Sequence, residues 1–354
     1  MSSKKVFVTG ATGYIGGTVL ARVVETFPDL EVTALMRRPD DKFVSRYPSV
    51  KIIQGTFDDF DIIERASQAA DVVIHMGDID HAGCAKAILS GVGKRRSETF
   101  VVHLSGTGCI ADISGNNWEG ELNPHVWDDV AHVDDIYDLP LTNLHRAIDK
   151  SFQDASSGLV KTVCVVPPDI FGRGPEVGGS RGTYLVPMYV DAVIRHGEAF
   201  YLGQGANRRA VTHIDDVASL FVLILRKYLL ESGAGLEYGK DGFYFAVSEE
   251  IEWKQAAEAI CKIGQEQGWL PEGTETASWD EDRVRALLPP HFKDIFPLLT
   301  LYIWGSNSRA SSTRAKRLGW KPIRVLADYL ADDCKMAAEI SLARAAKAAA
   351  GDGM

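Results

Sequence analysis

The chain has 354 residues, 45% of them hydrophobic and 24% charged, with a formal net charge of −10. The length suggests about two domains, or one with a large insertion, and the composition excludes a wholly disordered chain. The acidic balance argues against a nucleic-acid binder, and no apolar run approaches the ~20 residues of a membrane span.

The first expected element is a short strand, Lys5–Thr9, which begins too near Met1 to leave room for a signal peptide. It runs into the turn Gly10-Ala11-Thr12-Gly13-Tyr14-Ile15-Gly16, and Gly13 to about Glu25 reads as a helix. Short apolar runs at Val32–Met36, Lys51–Gln54, Asp71–His75 and Thr99–Leu104 are each followed by helical or polar sequence. Such runs suit a parallel sheet covered on both faces. The alternation predicts an α/β fold, a doubly wound parallel sheet of the Rossmann kind.

Lys161–Val166 is a further strand, stopped by Pro167-Pro168. A Gly/Pro-rich loop at Phe171–Ser180, a helix at Val186–His196, a strand at Ala210–Ile214 and an apolar helix at Val217–Tyr228 follow. Gly242–Val247 is strand-like and Glu252–Gln267 helical. Irregular aromatic sequence extends to about Trp304, and Ile323–Ala350 is a long Ala-rich helical pattern with a frayed tip at Gly351–Met354. We divide the chain into a dinucleotide-binding domain, residues 1–171 with returns at about 206–232 and 306–325, and a smaller interleaved substrate domain, residues 172–205 and 233–305. Residues 326–354 form the Ala-rich C-terminal helix.

The five cysteines, Cys84, Cys109, Cys164, Cys261 and Cys334, are scattered without a C-x-x-C pair. This fits a reducing, cytoplasmic setting better than a disulfide framework. The nine histidines lack metal-ligand spacing, so no metal is expected. Asp128-Asp129 and Asp134-Asp135 read as a solvated acidic loop.

The glycine turn carries the strongest functional signal. Gly10 permits a sharp turn, Gly13 close backbone approach to a pyrophosphate, and Gly16 tight helix packing. The helix N-terminus offers unpaired N–H groups to phosphate, which makes Thr12, Tyr14 and Ile15 cofactor-binding candidates as well. The next strand ends in Met36-Arg37-Arg38, where an acidic residue would bind the ribose of NAD(H). A guanidinium fork suits a 2′-phosphate, so NADP(H) is favoured over NAD(H); the other reading is two solvated arginines.

The spacing Gly10-x-x-Gly13-x-x-Gly16 resembles that of the extended short-chain dehydrogenase/reductase superfamily, in particular its fungal epimerase/dehydratase-like and nitrogen-repression-regulator-like branch. Val73–Gly77 resembles the superfamily's fourth-strand motif, whose end lines the cofactor; Met76, Gly77 and Asp78, with Thr56 and Phe57, are the implied contacts. Val101–Thr107 resembles the fifth strand, making Ser105 and Thr107 catalytic candidates, with local turn bonding as the alternative. Val165–Gly172 resembles the segment that closes over the nicotinamide, which implicates Pro168 for cofactor and Asp169 for substrate. Arg209–Ala218 resembles the stretch returning to the sheet, with Arg209 holding substrate or paired with Asp215 or Asp216. His213 is expected to be structural.

The resemblance implies chemistry based on Tyr-x-x-x-Lys, in which the Tyr exchanges a proton with substrate and the Lys lowers its pKa. That pair is missing. On the register of the motif helix, Leu141 stands for Tyr, His145 for Lys and Asp149 for Glu. His145 is a candidate for holding the ribose or for acid catalysis near neutral pH. Tyr137 is a candidate hydroxyl from a shifted position, or a half-buried loop tyrosine.

The aromatic residues Tyr184, Tyr189, Phe200, Tyr201, Trp253, Trp269, Trp279, Phe292, Phe296, Tyr302 and Trp304 suggest a second core and an aromatic pocket wall. Three readings result. The first is an NADP(H)-dependent reductase of a carbonyl or conjugated double bond in a small, aromatic or polyketide-like molecule. The second is a catalytically degenerate redox sensor or regulatory protein, and the third a non-redox cyclase or lyase on the same fold. The expected partner is a small-molecule substrate, with no nucleic acid and no membrane; a homodimer is implied by the resemblance.

Overall fold

The computed structural model describes residues 3–112, 119–175, 182 and 185–349. Seven parallel strands form the central sheet: β1 Lys5–Thr9, β2 Glu31–Met36, β3 Lys51–Gln54, β4 Val72–His75, β5 Thr99–Leu104, β6 Val160–Val166 and β7 Phe243–Phe245. Their spatial order is β7-β6-β5-β4-β1-β2-β3, so the chain reverses direction across the sheet between β1 and β4. In sheets wound this way the crevice at that reversal, at the carboxyl ends of the strands, is where ligands bind.

Every residue of β4 and β5 is buried, the physical reason both read as short apolar runs. Side chains alternate across β1: Val6 and Val8 join one core cluster and Phe7 the other. Helix α1 (Tyr14–Thr26) packs beside α5 (Ile214–Leu230) on the Val6 and Val8 face. Helices α2 (Phe60–Ala69), α3 (Ala82–Gly93) and α4 (Arg146–Asp154) cover the opposite face.

A second core gathers Phe171, Tyr189, Phe200, Trp253, Trp279 and Trp304. Phe200 and Trp279 stack at 4.1 Å between centroids, on the paired strands Ala199–Leu202 and Thr276–Trp279. Tyr189 Oη donates to Phe200 O at 2.5 Å and accepts from Phe200 N at 2.9 Å. Most of the aromatic signal is therefore core. Between the two cores runs a three-stranded sheet, Asp169–Phe171, Arg208–His213 and Glu249–Glu252.

Three sequence expectations change. The C-terminal helix starts at Leu330, because the Asp216 carboxylate accepts the amides of Ile323 and Arg324 and holds that stretch off-helix. The stretch before Trp304 is not wholly irregular: it holds the strand Thr276–Trp279 and the helix Leu299–Gly305. Asp129 is not solvated but fully buried, accepting from Phe245 N at 2.9 Å and Arg314 N at 2.8 Å. Burial lifts its pKa to about 7. Tyr184, the end of the Phe171–Ser180 loop and the Gly351–Met354 tip lie outside the described residues. Among the described residues no helix is long and apolar enough to cross a membrane, and no group of His, Cys, Asp and Glu could hold a metal ion. All five cysteines are free and buried.

Candidate functional site

Between β1 and α1 the turn is built for close approach. Gly10 has φ +77°, and a Cβ there would lie 2.2 Å from Met76 O. A Cβ on Gly16 would lie 2.1 Å from Gly10 O. Gly13, at 2.9 Å from Gly10 O through its amide, is the N-cap of α1; it offers no side-chain cap, and the first turn holds no acidic residue. Without capping side chains, the first amides of α1, those of Tyr14, Ile15 and Gly16, are donors at a positive helix end. This cradle fits a dinucleotide diphosphate. Thr12 is half-buried beside it. The Tyr14 side chain turns away, donating to Gly172 O at 2.6 Å.

The neighbouring strand ends complete the rim. Arg37 and Arg38, just past β2, are exposed. Thr56 gives its amide and hydroxyl to Asp59 Oδ2, at 2.6 and 2.9 Å, so the hydroxyl is committed. Phe57 packs over Gly77, where a Cβ would meet its ring at 2.5 Å. Asp78 is exposed and accepts from Asp80 N at 3.2 Å. Met76 N donates to Thr9 O, and Thr107 N to Pro167 O. These bonds bring the ends of β1, β4, β5 and β6 to one edge, with Pro168 buried behind it.

His145 stands over that edge. Its Nδ1 lies 2.9 Å from Asp80 Oδ2, and its Nε2 would be 3.3 Å from a Cβ on Gly106 and 3.1 Å from one on Gly108. Burial of Asp80 acts to raise its pKa, but the hydrogen bond and charge of His145 outweigh it and the net shift is downward. An imidazole held at one nitrogen by a carboxylate, with the other facing the strand ends, can accept or give a proton there. Sequence reasoning missed Asp80, which lies 65 residues from its partner with no motif to mark it.

The presumed motif helix is shorter than expected. Residues 141–145 are not helical; α4 begins at Arg146, with His145 at φ 67° as its N-cap. Pro140 starts a turn, with Asn143 N bonded to Pro140 O, and leaves Leu141 56% exposed. The Tyr137 hydroxyl donates to Asp154 Oδ1 at 2.5 Å, and Lys150 Nζ lies 3.3 Å from its ring centroid. Both partners belong to the far turns of α4.

Ser105 is likewise committed, donating to Asp149 Oδ2 at 2.8 Å. Asp149 also meets His103 Nε2 at 3.1 Å and Arg146 Nη1 at 3.5 Å, all fully buried. His103 stacks on Phe152 at 4.3 Å. This network ties the start of α4 to β5 and so sets where His145 stands. Thr107 is buried at the head of the turn Thr107–Ile110, its carbonyl accepting from Ser308 Oγ at 3.1 Å.

Arg209 and Asp169 hold one another. Arg209 Nε donates to Asp169 Oδ2 at 2.5 Å, and Nη1 to Tyr302 O at 2.6 Å and Ser306 Oγ at 2.9 Å. The alternative ion pairs of Arg209 with Asp215 or Asp216 do not form, because those carboxylates face Arg22 and Arg324. His213 caps α5, accepting from Asp215 N at 3.1 Å.

Comparison with known proteins agrees with this architecture. Residues 2–92 match the NmrA-like family and residues 144–233 the NAD dependent epimerase/dehydratase family. The chain is 27% identical to the oxidase ucsJ of an Acremonium species, over 91% of this chain and 93% of that protein. It is 25% identical to an uncharacterised protein of Saccharomyces cerevisiae, covering 91% and 95% of the two. Among solved structures, a dTDP-glucose 4,6-dehydratase of Bacillus anthracis in complex with NAD superposes with a TM-score of 0.62 at 13% identity, covering 94% and 96%. A UDP-glucose 4-epimerase of Thermotoga maritima superposes with a TM-score of 0.59 at 14% identity, covering 95% and 97%.

Proposed function

We propose that this chain, an atypical member of the extended short-chain dehydrogenase/reductase superfamily, is an NADP(H)-dependent reductase of a carbonyl or conjugated double bond in a small, aromatic or polyketide-like molecule. One observation carries the reading: a diphosphate cradle at Gly10, Gly13 and Gly16 shares a sheet edge with a carboxylate-held imidazole, His145. The amides of Tyr14, Ile15 and Gly16 would hold the diphosphate, and Arg37 and Arg38 the 2′-phosphate. When bound, the reduced cofactor supplies a hydride. Asp80 keeps a proton on His145 Nδ1, which leaves Nε2 to move the proton that the reduction consumes. The oxidase name of the Acremonium relative supports redox chemistry. We assign the second core to the substrate, and five free cysteines support a reducing, cytoplasmic setting.

The test is oxidation of NADPH by the purified protein with a panel of quinones, aryl ketones and enones. His145→Ala should lower turnover by about 100-fold or more. Turnover unchanged in that variant refutes the role of His145. A second reading, a redox sensor without turnover, is favoured by the exposed Leu141 and by the capture of Tyr137 by Asp154. It requires unequal affinities for NADP+ and NADPH and no turnover on the panel.

A further inference from the structure

His145 has a second polar neighbour for which the superfamily motif does not account. A Cβ on Gly108 would lie 3.1 Å from His145 Nε2 and also 3.1 Å from Tyr302 Oη. The imidazole, the phenol of the second core and Leu144 Cδ1, at 3.2 Å, thus crowd the side of Gly108 where a side chain would stand, and only glycine leaves room for all three. Tyr302 lies on the helix Leu299–Gly305 and is half-buried. Tyr189 of the same core gives its hydroxyl to a backbone carbonyl.

We propose that Tyr302 supplies the hydroxyl that position 141 lacks, passing its proton to the substrate oxygen, with Arg209 as the fixed positive charge behind it. The proposal rests on the reductase reading above. The Arg209 guanidinium carbon lies 4.9 Å from the Tyr302 ring centroid. Its Nη2 is buried without a hydrogen-bond partner among the described residues. A cation so placed stabilises the phenolate as it forms, the electrostatic task a lysine performs in Tyr-x-x-x-Lys. Burial raises the Tyr302 pKa, the charge and hydrogen bond of Arg209 offset it in part and Asp169 adds to the rise, so the phenol holds its proton at neutral pH.

The step balances. The Tyr302 O–H bond breaks as the substrate oxygen, released from its double bond when the adjacent carbon takes a hydride from reduced nicotinamide, forms its own O–H bond. The phenolate is then reprotonated through His145 Nε2, which passes on a proton taken from solvent while Nδ1 stays on Asp80.

The test begins without cofactor, as an ¹⁵N-imidazole titration of His145 in the full chain, in Tyr302→Phe and in Gly108→Ala. Loss of the hydroxyl should move the His145 midpoint by about half a pH unit, and the methyl at 108 should perturb both groups. Phenanthrenequinone and NADPH then supply the second readout: Tyr302→Phe should lower kcat about 100-fold with KM within about threefold. An unmoved midpoint, or a wild-type kcat in Tyr302→Phe, overturns the assignment. So does a wild-type protein that binds NADPH and reduces no panel carbonyl. If calorimetry detects no NADP(H) binding to the wild type, the reductase reading and the proton step fall together, while the titration still decides whether Tyr302 and His145 meet.

Discussion

Alanine at Gly10 tests the cradle most directly, because its cost has two separable parts. The residue sits at φ +77°, where an L side chain costs about 1–2 kcal/mol. A Cβ there would also lie 2.2 Å from Met76 O, 2.4 Å from Met76 C and 2.6 Å from Gly77 N, all backbone atoms of the β4 end. Forcing a methyl into packed backbone costs about 1–3 kcal/mol more. Gly268 is the control, with φ +76° and nothing within 4 Å of its Cβ position. Gly268→Ala should therefore cost the first part alone, and Gly10→Ala about 2–5 kcal/mol in all. Equilibrium urea unfolding, followed by tryptophan fluorescence, measures both. Relief of the clash also pushes the turn off the diphosphate position, so NADP+ affinity should fall at least about tenfold in Gly10→Ala and not in Gly268→Ala. Equal destabilisation of the two variants, with unchanged cofactor affinity, refutes the claim that Gly10 is a close-approach glycine.

Other outcomes follow from the same geometry. Replacing Arg37 and Arg38 by alanine together should weaken NADP(H) by about tenfold or more and leave NAD(H) within about twofold by calorimetry; equal losses rule out the 2′-phosphate assignment. Tyr137→Phe should keep turnover on the carbonyl panel within about twofold, since the hydroxyl serves Asp154, and a large loss returns Tyr137 to the chemistry. Burial lifts Asp129 from 3.8 to about 7, so its carboxyl binds a proton more tightly folded than unfolded. Its contribution to stability is full below the unfolded value and is lost as pH rises through about 7. Asp129→Asn should flatten the fall in urea midpoint between about pH 4 and pH 7, and an unchanged slope contradicts the assignment.

Much of the fold was legible because a parallel sheet leaves a strong local mark. Strands buried on both faces, such as β4 and β5, must be continuous apolar runs whatever else the chain does. The glycine turn was legible for a similar reason: only glycine tolerates the φ of Gly10 and the approach of Gly16 to Gly10 O. The motif helix was not. Its register counted residues on the assumption that 141–149 is helical, and the turn after Pro140 together with the positive φ of His145 removes the first half. Spacing then no longer reports which side chains share a face.

The chain's own residues, read in order, determined the α/β class, the place of the glycine turn and the absence of a Tyr-x-x-x-Lys pair, since each depends on neighbours within a few positions. Tertiary structure alone decided which charged groups meet. Asp80 reaches His145, Asp169 pairs with Arg209, and Tyr302 Oη comes near Gly108 from the second core. Those pairings span tens to hundreds of residues and depend on how sheet and second core are docked, a geometry that no local periodicity records.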